Sequence, residues 1–238
     1  MALAAVAAFV GAAVQSATGF GFALVLSPAL FAAMEPVEAV SALLVLGLAL
    51  NLLVLFEGGR PQHVHWQALA PMLLAAVPGL ALGAVALTQL SKEVLQVAVG
   101  VAVIAAAAWQ LRAPRPRVTP AAAWAAGFAS GALTTSISVS GPPLVLWLTA
   151  RGVRPEEFRA SLAASFLMLN LAGGFILLAV EGSGAFDAGA VAVLFALVLA
   201  GYTLGAVLFR RLDRDRFFKI VLVVVALTGA ASVVAGLA

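Results

Sequence analysis

The chain has 238 residues, of which 64% are hydrophobic and 10% charged, with a mean hydropathy of +1.14. This composition excludes a soluble globular domain and points to an integral membrane protein. A net charge of +3 and a pI near 10.2 would suit nucleic acid, but the basic residues sit at the ends of apolar runs, where topology determinants belong. With no cysteine, disulfides, thiolate metal sites, iron-sulfur clusters and thiol catalysis are excluded.

Eight apolar blocks follow in order, at about 2–33, 36–57, 66–90, 92–111, 120–150, 155–180, 186–209 and 215–237. The first begins without a basic leader, so it reads as retained structure rather than a signal peptide. The last four blocks copy the first four. Pro36-Val37-Glu38 matches Pro155-Glu156-Glu157 at an offset of 119, which also carries Asn51 onto Asn170. At an offset of 122, Gly79-x-x-x-Gly83 matches Gly201-x-x-x-Gly205, and Leu90-Ser91-Lys92-Glu93 matches Leu212-Asp213-Arg214-Asp215. A tandem duplication follows, with one repeat over residues 1–112 and the other over 118–238, together making one membrane domain. Pro36 and Pro155 open helices, and the Gly-x-x-x-Gly pairs read as close helix contacts.

Blocks one and five are too long for single spans. A straight helix of about 31 residues would be roughly 46 Å long, against about 30 Å of hydrocarbon. Each divides at a polar, helix-breaking centre, Ser16 to Gly21 in the first and Ser136 to Gly141 in the second, leaving arms mostly of ten to sixteen residues. Backbone broken in this way inside a membrane must be covered by protein or line a wet cavity. The expected fold is therefore all-α and polytopic, an inverted tandem repeat in which each copy is a re-entrant hairpin followed by three transmembrane helices.

Charge counting agrees. If the two hairpins enter and return on the same side, Lys92 stands alone and the other twelve of the thirteen basic residues share the opposite, cytoplasmic side. Both termini then lie outside the cytoplasm. Trp66, Trp109, Trp124 and Trp147 fall near the cytoplasmic side as an interfacial belt.

The two glycine-rich openings, Gly11-Ala-Ala-Val-Gln-Ser-Ala-Thr-Gly-Phe-Gly21 followed by Pro28, and Gly131-Ala-Leu-Thr-Thr-Ser-Ile-Ser-Val-Ser-Gly-Pro-Pro143, resemble the TauE/SafE sulfite exporter family over essentially the whole chain. The resemblance implies an inner-membrane carrier of sulfite, organosulfonates such as sulfoacetate, or related sulfur anions. Phe20 and Phe22 around Gly21, and serines at 138 and 140, depart from the usual glycine pattern.

No Lys or Arg falls in the interior of an apolar block, so an anion at mid-depth must be held by other means. The second arm of a hairpin begins inside the membrane, and its free amides and dipole end, about half a positive charge, face the tip. Gly141 as cap, with Pro142 and Pro143 opening the arm, fits such a start, and Thr18 to Phe22 is the counterpart. The candidate substrate-binding residues are Gln15, Ser16, Thr18, Gly19, Gly21, Asn51, Thr134, Thr135, Ser136, Ser138, Ser140, Gly141, Pro142 and Asn170. Asn51 and Asn170 serve equally well as interhelical glue, and hydroxyls in membrane helices often bond only to their own backbone.

All ten carboxylates lie near block ends, and His63 and His65 sit in a loop, so no mid-membrane proton relay is visible. Glu38 and Glu157 read as ordinary first-turn stabilisation. The expected function is secondary transport of a small anion between two opposed tips, without cofactor, metal or enzyme activity. Its partners are the anion and the lipid bilayer, not nucleic acid, with a homodimer left open. An anion channel of the same architecture is the alternative. An intramembrane serine protease around Ser138-Val-Ser140-Gly141 lacks a base to activate the serine. Single cysteines introduced at Ala2, Glu35 and Ser91 are expected to react with an impermeant maleimide from outside, with one at Arg214 protected; labelling of Ala2 and Glu35 from opposite sides would contradict the hairpin.

Overall fold

In the computed structural model, residues 2–57, 63–112, 119–182, 188–209 and 229–237, apart from 231 and 235, are described. Nine helices can be delimited among them: α1 (Ala2–Thr18), α2 (Phe22–Ala33), α3 (Pro36–Leu55), α4 (Trp66–Gln89), α5 (Lys92–Arg112), α6 (Pro120–Ile137), α7 (Gly141–Ala150), α8 (Pro155–Glu181) and α9 (Ala188–Phe209). No strand occurs among the described residues. Most of the eighth block, residues 210–228, lies outside them. Three helices are long and apolar enough to cross a bilayer by length and composition: α3, α4, and α8 from Glu157 to Glu181.

Helix boundaries follow local chemistry. Pro36 sits in the first turn of α3, where its missing donor costs nothing, and Glu38 reaches back to the Glu35 amide at 3.4 Å to close a capping box. Pro155 opens α8 in the same way, and Glu157 pairs with Arg154 one turn back. Both glutamates thus stabilise helix starts. His65 caps α4, its Nδ1 accepting from the Ala68 amide at 3.3 Å, and Thr119 caps α6 through its side chain.

Blocks one and five are each broken into two arms, by Gly19–Gly21 between α1 and α2 and by Ser138–Ser140 between α6 and α7. The breaks are shorter than the sequence reading expected. Ser16 and Thr18 belong to α1, and Thr134, Thr135 and Ser136 to α6, so the leading arms run to 17 and 18 residues and the returning arms only to 12 and 10. The helix persists because three of these hydroxyls bond to carbonyls already inside it: Thr134 to Ser130, Ser136 to Ala132, and Thr18 to Val14. Gly141 is not the cap of α7 but its first residue; Ser140 holds the cap position. At about 1.5 Å per residue neither returning arm exceeds roughly 18 Å, well short of a 30 Å hydrocarbon core. The first pair folds back on itself, a Cβ on Gly11 meeting Phe22 and one on Gly21 meeting Val14.

What holds the arms is backbone-close packing by glycine. A Cβ built on Gly79 would lie 2.2 Å from the Phe128 carbonyl, and one on Gly83 2.2 Å from that of Ala132, so α4 and α6 touch main chain to main chain. Gly127 and Gly131 make the same approach in return, at Met72 and Ala76. In the other half Gly201 meets the Phe9 carbonyl at 2.2 Å and Gly205 meets Ala13. Phe9 and Ala13 stand 119 residues before Phe128 and Ala132, so equivalent glycines on α4 and α9 clasp equivalent positions on α6 and α1. Each leading arm is gripped by a helix of the other half. α3 and α8 pack together between these pairs.

Of the tryptophans, Trp66 and Trp124 are exposed, but Trp147 is buried and donates through Nε1 to the Ala68 carbonyl at 2.9 Å. It ties α7 to α4 rather than serving as an interfacial anchor. The side chain of Trp109 lies outside the described residues.

Gly79→Ala or Gly201→Ala should force the helices apart and lower stability by about 1–3 kcal/mol. Gly174→Ala, with nothing within 4 Å of the new methyl, should be neutral. Thermal unfolding in detergent measures the contrast.

Candidate functional site

Both breaks face one cavity. It is small, with a cavity volume of about 40 Å³, and is walled by the start of α2 (Gly21 to Leu24), the α6–α7 break (Ser138 to Gly141), and residues of α1, α3 and α8. Its polar lining is neutral: Gln15, Asn51, Ser138, Ser140 and Asn170, with no acidic, basic or histidine side chain. Its apolar lining includes Phe20, Phe22, Leu43, Val139 and Phe166.

The positive contribution comes from the backbone. α2 and α7 both begin at this cavity, and the first amides of a helix have no intrahelical carbonyl to bond. Two helix N-termini aimed at one space, inside low-dielectric surroundings, favour negative charge between them. Gly21 adopts φ 110° and its missing side chain leaves room for Val14, so no other residue suits this start of α2. Ser138 has φ 58°, and its equivalent Gly19 has φ 85°: both leading arms end in the left-handed conformation that turns the chain back.

The amides of the cavity are arranged unequally. Gln15 donates from Nε2 to Asn51 Oδ1 at 2.8 Å and accepts from the Phe22 amide at 3.3 Å, while Asn51 donates to the Gly47 carbonyl at 2.7 Å. This chain of bonds fixes the first tip to α3. At the equivalent place in the second half stands Thr134, whose hydroxyl is used on the Ser130 carbonyl and does not reach Asn170. Asn170 lies against the vacant Cα of Gly47, where an added Cβ would be 2.5 Å from its Nδ2. It makes no hydrogen bond among the described residues, and neither does the Ser140 hydroxyl.

Seven of the fourteen residues expected from the sequence therefore come together: Gln15, Gly21, Asn51, Ser138, Ser140, Gly141 and Asn170. The other seven do not line the cavity. Thr135 donates to the Leu80 carbonyl at 2.7 Å across the α4–α6 contact, and Ser136 and Thr134 bond back along α6. Thr18 bridges the Val14 and Phe20 carbonyls, Ser16 is buried without a partner, and Pro142 serves the first turn of α7. Gly19 packs against Arg159. That last contact brings a cation near the site that the block-by-block reading does not foresee: Arg159, on the second turn of α8, lays its side chain against the first hairpin tip and pairs with Glu57 at 2.7 Å. Phe166 and Gly47 also went unseen, although each is the other's counterpart at the offset of 119.

A bond between the halves fixes the spacing of the tips. Ser27, inside α2, donates to the Ile137 carbonyl at the end of α6 at 2.9 Å.

Compared with known proteins, residues 3–232 match the family model described as sulfite exporter TauE/SafE. The chain belongs to this family. A relative from Cupriavidus necator, described as a probable sulfite/organosulfonate exporter TauE, is 26% identical over 163 residues, which cover 66% of this chain. The match spans 63% of that relative's length. No solved structure matches the chain.

Gln15→Leu would leave the Asn51 Oδ1 and the Phe22 amide unpaired in a buried place and should cost about 1–3 kcal/mol. Ser138→Gly, which removes a side chain from a left-handed position, should be neutral or stabilising. Both are read from thermal unfolding of the purified protein.

Proposed function

We propose that the protein is a secondary transporter of small sulfur-containing anions, sulfite or organosulfonates, which it holds between the starts of α2 and α7. The observation that carries this reading is the cavity in which two helix N-termini meet neutral amide and hydroxyl donors with no carboxylate among the lining residues. An oxyanion needs several donors and no competing negative charge. Asn170 and Ser140 are the side chains with uncommitted donors there, and they make the direct contacts. Gln15 and Asn51 act one step back, holding the first tip.

The two halves, 1–112 and 118–238, are the copies of an inverted repeat, and the tips are re-entrant. The reciprocal glycine contacts support the repeat, because a clasp of α4 on α6 mirrored by α9 on α1 is what an exchange between related halves produces. The short returning arms support the hairpins. The protein sits in the cytoplasmic membrane with both termini outside. With no titratable group lining the cavity, any coupled proton travels on the substrate. Alternating access would rock each leading arm together with its clasping helix, α1 with α9 and α6 with α4.

Proteoliposomes containing the protein should show saturable counterflow of sulfite or a sulfonate such as sulfoacetate, and little of a carboxylate. If sulfite, sulfate, thiosulfate and sulfoacetate all fail to move, the reading is wrong. Currents far above carrier turnover would make the protein a channel. Asn170→Ala should raise KM about tenfold, the loss expected of one hydrogen bond to a charged group.

A further inference from the structure

Arg159 carries an unused feature. Its Nη1 pairs with Glu57 at 2.7 Å and the Tyr202 hydroxyl lies beside it, but its Nε and Nη2 are buried and meet no acceptor in hydrogen-bond geometry. These two nitrogens form one edge of the guanidinium, a parallel pair of donors spaced for two oxygens of one oxyanion. A fixed charge with two dry, unsatisfied donors is unfavourable unless something occupies them in another step of the protein's work. The side chain is only 29% exposed, and its stem rests on Gly19. The next residue along, Phe20, lines the cavity, so the stem of Arg159 stands at the edge of the first tip and its guanidinium one side-chain length away, beside Glu57 and Tyr202.

This group has no counterpart across the repeat. Arg159 corresponds to Val40 and Glu57 to Ile176 at the offset of 119, and Tyr202, which lies beside the pair, corresponds to Leu80 at 122. The polar cluster therefore exists on one face alone, where α3 ends and α8 begins. The three counterpart positions are all apolar, so the fold does not require a polar cluster at its equivalent place.

We propose that Arg159 is a one-sided access site for the transported anion: its Nε–Nη2 edge takes two oxygens of a sulfite or sulfonate group before the anion passes the Gly19 tip. Glu57 holds the guanidinium in place through Nη1 and weakens its grip on the anion, so that the substrate is captured without being trapped. The site rests on the transport reading for its ligand but not for its existence.

The test is a sulfite titration followed by thermal unfolding of the purified full-length protein in detergent, paired with counterflow in proteoliposomes. Arg159→Lys keeps the charge and loses the fork; it should raise the sulfite concentration for half-maximal stabilisation about tenfold. Glu57→Gln removes the competing charge and should lower that concentration roughly threefold, an effect that a merely structural ion pair would not produce. If Arg159→Lys fails to fold, Glu57→Gln decides alone. Unchanged half-points in both variants, a weaker response in Glu57→Gln, or no response of the wild type to sulfite overturns the access site. A normal titration with no counterflow overturns transport and leaves the site standing.

Discussion

The structure depends on the approach of main chain to main chain where glycines of α4 and α9 meet the leading arms α6 and α1. In hydrocarbon no hydrophobic force pulls helices together, so association comes from dispersion contacts and close fit. Gly79 and Gly83 on one helix and Gly127 and Gly131 on its partner remove every side chain between two backbones. The long faces thus formed can hold a helix up to its broken end. Without such a clasp, the broken ends of α6 and α1 would lose their protein cover, and unsatisfied backbone groups in apolar surroundings cost several kcal/mol each.

Once the leading arms are fixed, the tips are fixed as well, and the cavity follows from them. The returning arms start where the leading arms stop, and both starts are turned to the same space. The protein thereby obtains positive potential from backbone geometry, which needs no counter-charge and does not titrate. The lining phenylalanines keep that potential in low-dielectric surroundings, where a dipole acts more strongly than in water. The unequal use of the amides divides the labour. The first tip is tied to α3 through Gln15 and Asn51, while the second leaves Asn170 and Ser140 uncommitted.

Much of this was legible in the residues. The positions of Pro36 and Pro155 marked helix starts, the matched Gly-x-x-x-Gly pairs marked close contacts, and the excess length of blocks one and five required a break. The break itself was read too broadly, because hydroxyl-rich sequence looks hostile to helix whether its side chains bond within the helix or leave it. Thr134 and Ser136 bond within it. Thr135 stands close to the break and reads from sequence as a substrate donor, but its hydroxyl points at Leu80 across the α4–α6 contact. In the charge count Arg159 is only one of twelve basic residues on one side, since its distance from Pro155 along the chain says nothing of which neighbour its side chain meets.

The sequence by itself determined the membrane environment, the recurrence of residues at offsets of 119 and 122, and the places where helices must stop, because hydropathy, spacing and proline or glycine chemistry are local along the chain. Only the tertiary structure decided which polar side chains share a space. Helices 119 residues apart in sequence meet through their faces, and which face a serine or asparagine occupies depends on the partner helix. Asn51 and Asn170 are equivalent in sequence; Gln15 makes one a strut, and the lack of a glutamine at 134 leaves the other facing the cavity.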